Sequence, residues 1–200
     1  MLENKLGIFN AVELARAEEQ LSKKRALEMF EDGFLDSLQP GVFASLSAIH
    51  RRMFGDIYDF AGEMRTVNIV KGSFRFAPVM YLKEAVGSIE KMPQSDFEQI
   101  VEKYVEMNVA HPFQEGNGRS TRIWLDVILK AEIGCVVDWS RVDKEEYPLA
   151  MERSLVRDIE IKHLLKNALT DKINDRAVYM KSIDYSYYYE GYAEYRAEDL

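Results

Sequence analysis

A mainly α-helical domain carrying one small β-hairpin is the fold class this sequence predicts. Two observations carry it. Apolar residues recur at three- and four-residue spacing along most of the chain. Only one stretch, about 66–78, breaks that pattern, with β-branched residues, a glycine-containing turn and a short alternation. No internal repeat, low-complexity linker or second domain is visible, so a single domain over 1–200 is expected. With 47% hydrophobic residues the chain can bury a sizeable core.

Residues 11–31 predict a first helix, with Val12, Ala15, Leu21, Ala26, Leu27 and Phe30 along one stripe. Gly33 and the 36–40 segment end it. A second helix is expected from after Pro40 to about Phe54, and His50 within it reads as a packed or surface histidine rather than a metal ligand. Thr66-Val67-Asn68-Ile69-Val70, the turn Lys71-Gly72-Ser73 and Phe74-Arg75-Phe76 form the predicted hairpin. Helices at about 83–91 and 95–110 follow, the second delivering the chain to His111, where Pro112 should impose an extended conformation. The next helix runs to about Ile133, with Gly134 as its C′ residue. Asp143 and Glu146 have capping-box spacing for a helix through Val156, and shorter helical stretches are expected over 159–169 and 171–182.

Lys+Arg number 26 against Asp+Glu 34, a net charge of -8, so the overall surface does not suit nucleic acid. Any phosphate chemistry must use a small local cluster of positive charge. The lone Cys135 allows no internal disulfide and reads as a small buried hydrophobe. The N-terminus lacks the apolar core of a signal peptide, and no stretch approaches ~18 apolar residues. A soluble, cytoplasmic protein with no membrane partner is the expectation.

The chemistry concentrates in His111-Pro112-Phe113-Gln114-Glu115-Gly116-Asn117-Gly118-Arg119-Ser120-Thr121-Arg122. Asn117 has the chemistry of an N-cap for the helix that follows. Gly116 and Gly118 would let backbone approach a ligand, and the helix's first amides, pointing out of its positive end, suit phosphate. Arg119 and Arg122, three apart, should reach one side of the first turn. Glu115, acidic among anion binders, is explained by a magnesium ion between it and the phosphates. His111 is placed to take a proton from a hydroxyl. A helical His111–Glu115 metal pair is disfavoured by Pro112 and Gly116, and no Gly-x-x-x-x-Gly-Lys-(Ser/Thr) loop occurs.

Residues 111–122 resemble the Fic motif, His-Pro-Phe-x-(Asp/Glu)-Gly-Asn-Gly-Arg-x-x-Arg, at every fixed position. The resemblance implies a Fic-type helical bundle and a protein adenylyltransferase that moves AMP from ATP to a Tyr, Ser or Thr hydroxyl of a target protein. It implies His111 as general base and Glu115 as the Mg2+ residue. It also implies that Gly116, Asn117, Gly118, Arg119 and Arg122 bind phosphate, with Phe113 facing inward. The hairpin would be the flap that holds a target segment by strand addition, and Lys71 there is a candidate for contact with nucleotide phosphate or target. A bacterial type II topoisomerase ATPase subunit is a family-level guess for the target, in keeping with toxin-like relatives.

The tyrosine-rich tail holds Ser186-x-x-x-Glu190-Gly191, similar to the family's inhibitory motif (Ser/Thr)-x-x-x-Glu-(Gly/Asn). Its position resembles the compact class III group, with an inhibitory helix at about 183–195. Glu190 would pair with Arg122 and occupy the place of a γ-phosphate. Tyr187, Tyr188 and Tyr192 beside it are candidates for self-modification, and the family suggests a homo-oligomer. The readings that compete are AMP removal using Glu190, transfer of another nucleotide or of phosphate, and a non-catalytic binding module, which the intact motif disfavours.

Overall fold

The structure, a computed structural model, describes residues 2–71, 74–189 and 195–200. Among these are eight α-helices and two small two-stranded sheets. Helix α1 spans Ala11–Glu31, its N-cap Asn10 accepting from the amides of Val12 and Glu13. A single 3-10 turn (Phe34–Ser37) leads to α2 (Phe43–Phe54). Helices α3 (Val79–Glu90), α4 (Phe97–Ala110) and α5 (Asn117–Ile133) follow, with Gly134 in the left-handed region ending α5 as expected. Then come α6 (Glu146–Arg153), α7 (Ile159–Asn167) and α8 (Arg176–Tyr188).

Helix α5 is the centre. Trp124, Leu125, Ile128 and Leu129 are fully buried, and α5 packs against α2, α4 and α8. Helix α1 closes the bundle on α2 and α8. Leu46, Ile49, Met53 and Phe54 from α2 and Ile100, Val101 and Tyr104 from α4 fill the space between.

Five expectations about elements change, four of them ahead of the tail. The hairpin reduces to β1 (Val70–Lys71) and β2 (Phe74–Arg75), antiparallel with Val70 opposite Arg75. The β-branched run before it does not pair, because side chains hold it: Arg65 donates to the carbonyl of Val67, and Asn68 Oδ1 accepts from the amide of Val79. That second bond also draws α3 back to start directly after Pro78, four residues earlier than its spacing suggests. Asp143 does accept from the amides of Glu145 and Glu146, but the regular helix there is only α6, and it stops at Arg153. The 159–169 stretch ends early as well, since Leu169–Thr170 (β4) leaves α7 to pair with Val136–Val137 (β3).

The tail is the largest difference. Residues 176–188 form one continuous helix, capped by Asp175 on the amides of Ala177 and Val178, instead of separate helices over 171–182 and 183–195. Glu190, Gly191 and Tyr192 lie outside the described residues, as do the side chain of Lys71 and the turn residues Gly72 and Ser73. The end of the chain returns to α1. There Lys23, 1% exposed, bonds Asp184 (3.1 Å), Glu19 (2.9 Å) and the carbonyl of Tyr195 (2.5 Å). Cys135 is half-buried at the turn after Gly134 rather than sealed in the core. No helix among the described residues is long and apolar enough to cross a membrane.

Candidate active site

His111 ends α4 in the left-handed region, at φ 49, and is the only described non-glycine residue with positive φ. The expected extended conformation is therefore wrong. Proline disfavours the right-handed helical region for the residue before it. Two bonds from Arg65 hold the other solution: its Nε donates to His111 O (2.7 Å) and its amide to Pro112 O (2.8 Å). The imidazole stacks on Phe76 at 3.6 Å between centroids. Its Nδ1 lies 3.3 Å from the carbonyl of Asn108, which can only accept, so the proton belongs on Nδ1 and Nε2 keeps its lone pair. That is the tautomer a general base needs.

The loop between His111 and α5 is pinned from below. Phe113 is fully buried, as its inward-facing role requires, and stacks on His50 (3.9 Å) and Phe43 (5.8 Å). Asn117 is not the cap but the first helical residue. Its side chain accepts from the amide of Phe113 and donates to the carbonyl of Phe113, both at 2.8 Å. The cap position is Gly116, at φ 74, and a Cβ there would lie 2.5 Å from the Phe54 ring. Close approach to core, not to ligand, demands glycine at 116. Ser120 takes the first bond back to Gly116, so the amides of Asn117, Gly118 and Arg119 open the helix without intrahelical acceptors.

His50 belongs to this support and was legible only as a packing residue. Fully buried, it donates from Nε2 to the carbonyl of Glu115 (2.7 Å) and accepts on Nδ1 from the amide of Gly62 (2.9 Å). Burial, outweighing the bond to Glu115 and reinforced by the Arg119 charge, lowers its pKa to about 3. The folded value lies below the unfolded one, so the unfolded chain takes up the proton first. Stability from this group is present above the unfolded pKa and drains away as pH falls toward 3. From this histidine we expect a loss of about 2 kcal/mol between pH 7 and pH 5, from the linkage of its two pKa values. Urea unfolding at both pH values checks this, and in His50→Gln that part of the pH dependence should vanish.

The two arginines part company. Arg119, 1% exposed, points at α1: Nη1 bonds Glu18 Oε1 at 2.7 Å, and Nη2 meets Glu115 Oε1 at 3.2 Å. The Phe54 and Tyr187 rings lie against it. The phosphate contact expected of Arg119 would have to compete with these two carboxylates. Glu18, which sequence spacing had not singled out, also accepts from the Tyr58 hydroxyl. Glu115 keeps a half-exposed carboxylate at the loop's mouth and caps the Gly116 amide at 2.9 Å.

Arg122 points to α8 instead. Its Nε donates to Ser186 Oγ (2.6 Å) and its Nη2 to Ser186 O (2.7 Å), with Trp139, Tyr147 and Tyr189 ringed around it at 5.2–5.9 Å. Tyr187 is buried with its hydroxyl on Ser22 Oγ at 2.7 Å, and burial raises its pKa to about 12. Tyr188, at 46% exposure, is accessible.

Known proteins resemble this chain in sequence and in fold. The Fic/DOC family matches residues 43–129, from the start of α2 into the last turns of α5. Protein adenylyltransferase VbhT of Bartonella schoenbuchensis is 29% identical over 192 residues, covering 89% of this chain but only 39% of VbhT. "Probable protein adenylyltransferase Fic" of Salmonella typhimurium is 29% identical over 183 residues, covering 86% of this chain and 88% of that protein. Among solved structures, BepC of Bartonella tribocorum with bound AMPPNP aligns with a TM-score of 0.70 at 22% identity, over 85% of this chain and 92% of that chain. At that identity the likeness speaks for the fold.

Proposed function

We propose that this chain, a member of the Fic/DOC family, is a protein adenylyltransferase that moves AMP from ATP to a tyrosine, serine or threonine hydroxyl of a target protein. One observation carries the reading: His111, with Nδ1 on the carbonyl of Asn108, ends α4 just ahead of the loop that leads into the N-terminus of α5. The target hydroxyl gives its proton to Nε2 while its oxygen attacks the α-phosphorus. The bond to the β-phosphate oxygen breaks, and pyrophosphate leaves with that electron pair. The amides of Asn117, Gly118 and Arg119 face the phosphates, and Arg122 meets the γ-phosphate once released from α8. Arg119 acts from beneath, orienting the Glu115 carboxylate. Catalysis is then positioning and electrostatics, with no covalent enzyme intermediate.

Mg2+ fits this site. Glu115 offers one half-exposed carboxylate, and magnesium is commonly held by one or two carboxylates plus substrate phosphates. When bound, it would neutralise charge growing on the pyrophosphate.

The contact of Ser186 with Arg122 supports autoinhibition by α8, with Glu190 as the carboxylate that takes the γ-phosphate's place. Exposed Tyr188 is the better self-modification site, since Tyr187 is reached only if α8 leaves its seat. The edge of β1 is the surface on which a target strand would add.

ATP labelled at the α- or the γ-phosphate, incubated with magnesium and bacterial lysate, tests the activity. Label should enter protein from the α position alone, and not with His111→Ala. Label from the γ position would make the protein a kinase and overturn the nucleotide orientation.

A further inference from the structure

We infer that Arg65 is the positioning residue that fastens the general base and both roots of the flap into one unit. The inference rests on His111 being that base. Arg65 is 4% exposed, and among the described residues its guanidinium bonds only backbone carbonyls. Nε reaches His111 O at 2.7 Å. Nη1 reaches Val67 O at 2.8 Å, and Nη2 reaches Ala77 O at 2.6 Å and Ala110 O at 3.1 Å. With its own amide on Pro112 O, Arg65 holds the carbonyls of 110, 111 and 112 in succession.

Val67 and Ala77 stand on either side of the strands Val70–Lys71 and Phe74–Arg75, so they are the two ends of the flap. The amide of Ala77 adds a further tie to Val109 O at 3.2 Å. Phe76, just inside the second end, stacks on the imidazole itself. A target strand paired to the flap would therefore present its hydroxyl at a distance from Nε2 that Arg65 fixes.

Physical chemistry explains why arginine stands here. His111 sits in the left-handed region, which persists for a residue with a Cβ only where its surroundings over-determine it. The guanidinium lies at the C-terminal end of α4, where carbonyls lack helical partners and the dipole favours a cation. Its planar fork reaches carbonyls in several directions at once, which a lysine ammonium on a flexible stem does not.

The test uses the full chain carrying Glu190→Gly, with Arg65→Met and Arg65→Lys added singly. Transfer from α-labelled ATP, AMPPNP affinity and the His111 ring NMR signal are measured together. Arg65→Met should lower kcat on the order of 100-fold, the scale of an ångström-sized misplacement, while AMPPNP affinity is kept. Arg65→Lys should recover part of the rate, and the His111 signal should move while that of His163 stays. Parental kcat with an unmoved His111 signal would overturn the inference. So would parallel loss of kcat and affinity with that signal unmoved. If the parent itself transfers no label, the proposed activity fails, and the His111 signal alone decides the Arg65 assignment.

Discussion

Glu190→Gly is expected to raise AMP transfer at saturating ATP by on the order of 100-fold, if about 99% of molecules are held closed. Holding that fraction takes only about 2.7 kcal/mol, within reach of one docked helix. Helix α8 and Tyr189 after it hold the arginine in place. Ser186 occupies Arg122 through both its hydroxyl and its carbonyl, and Tyr189 bonds the carbonyls of Trp139 and Val142 while its ring faces the Arg122 guanidinium. Tyr187 and the Lys23–Asp184 pair fasten the same helix to α1. An arginine so engaged cannot also receive a γ-phosphate in bidentate fashion. Initial rates of label transfer at several ATP concentrations check this. An unchanged rate at saturation would remove Glu190 from any inhibitory role.

Glu18→Ala should cost about 3–5 kcal/mol of stability, the usual loss when one partner of a buried ion pair is removed. The pair is deep: Glu18 and Arg119 side chains are 3% and 1% exposed. Without Glu18 the buried Arg119 charge loses its 2.7 Å carboxylate partner, and the Tyr58 hydroxyl loses its acceptor. In the wild type, burial pushes the Tyr58 pKa upward, with the Glu18 charge adding to it. Urea denaturation of Glu18→Ala and Glu18→Gln measures the effect, the amide losing less because it still accepts a bond. A Glu18→Ala midpoint equal to wild type would show that the pair contributes nothing net.

The helices were legible because their inward faces repeat at helical spacing, and the 111–122 loop because its residue types announce anion chemistry. What escaped depends on partners far away in the chain. Glu18 meets Arg119 across 101 positions and Arg65 meets His111 across 46, distances over which no periodicity carries a signal. His50 looked like ordinary packing because its role lies in a backbone carbonyl of residue 115. Asn117 misled for a related reason. Its capping chemistry is real, but the side chain spends it on Phe113 backbone, and glycine takes the cap. The continuity of α8 was hidden by its tyrosines and serines, which scatter the apolar pattern while packing through rings and hydroxyls.

The most direct test of the whole account is a single-turnover comparison of three proteins with α-labelled ATP: wild type, Glu190→Gly, and Glu190→Gly combined with His111→Ala. The account predicts slow transfer, fast transfer and none, in that order. Fast transfer that survives loss of His111 would contradict it, because the proton would then be taken by a group other than the base on which the site is built.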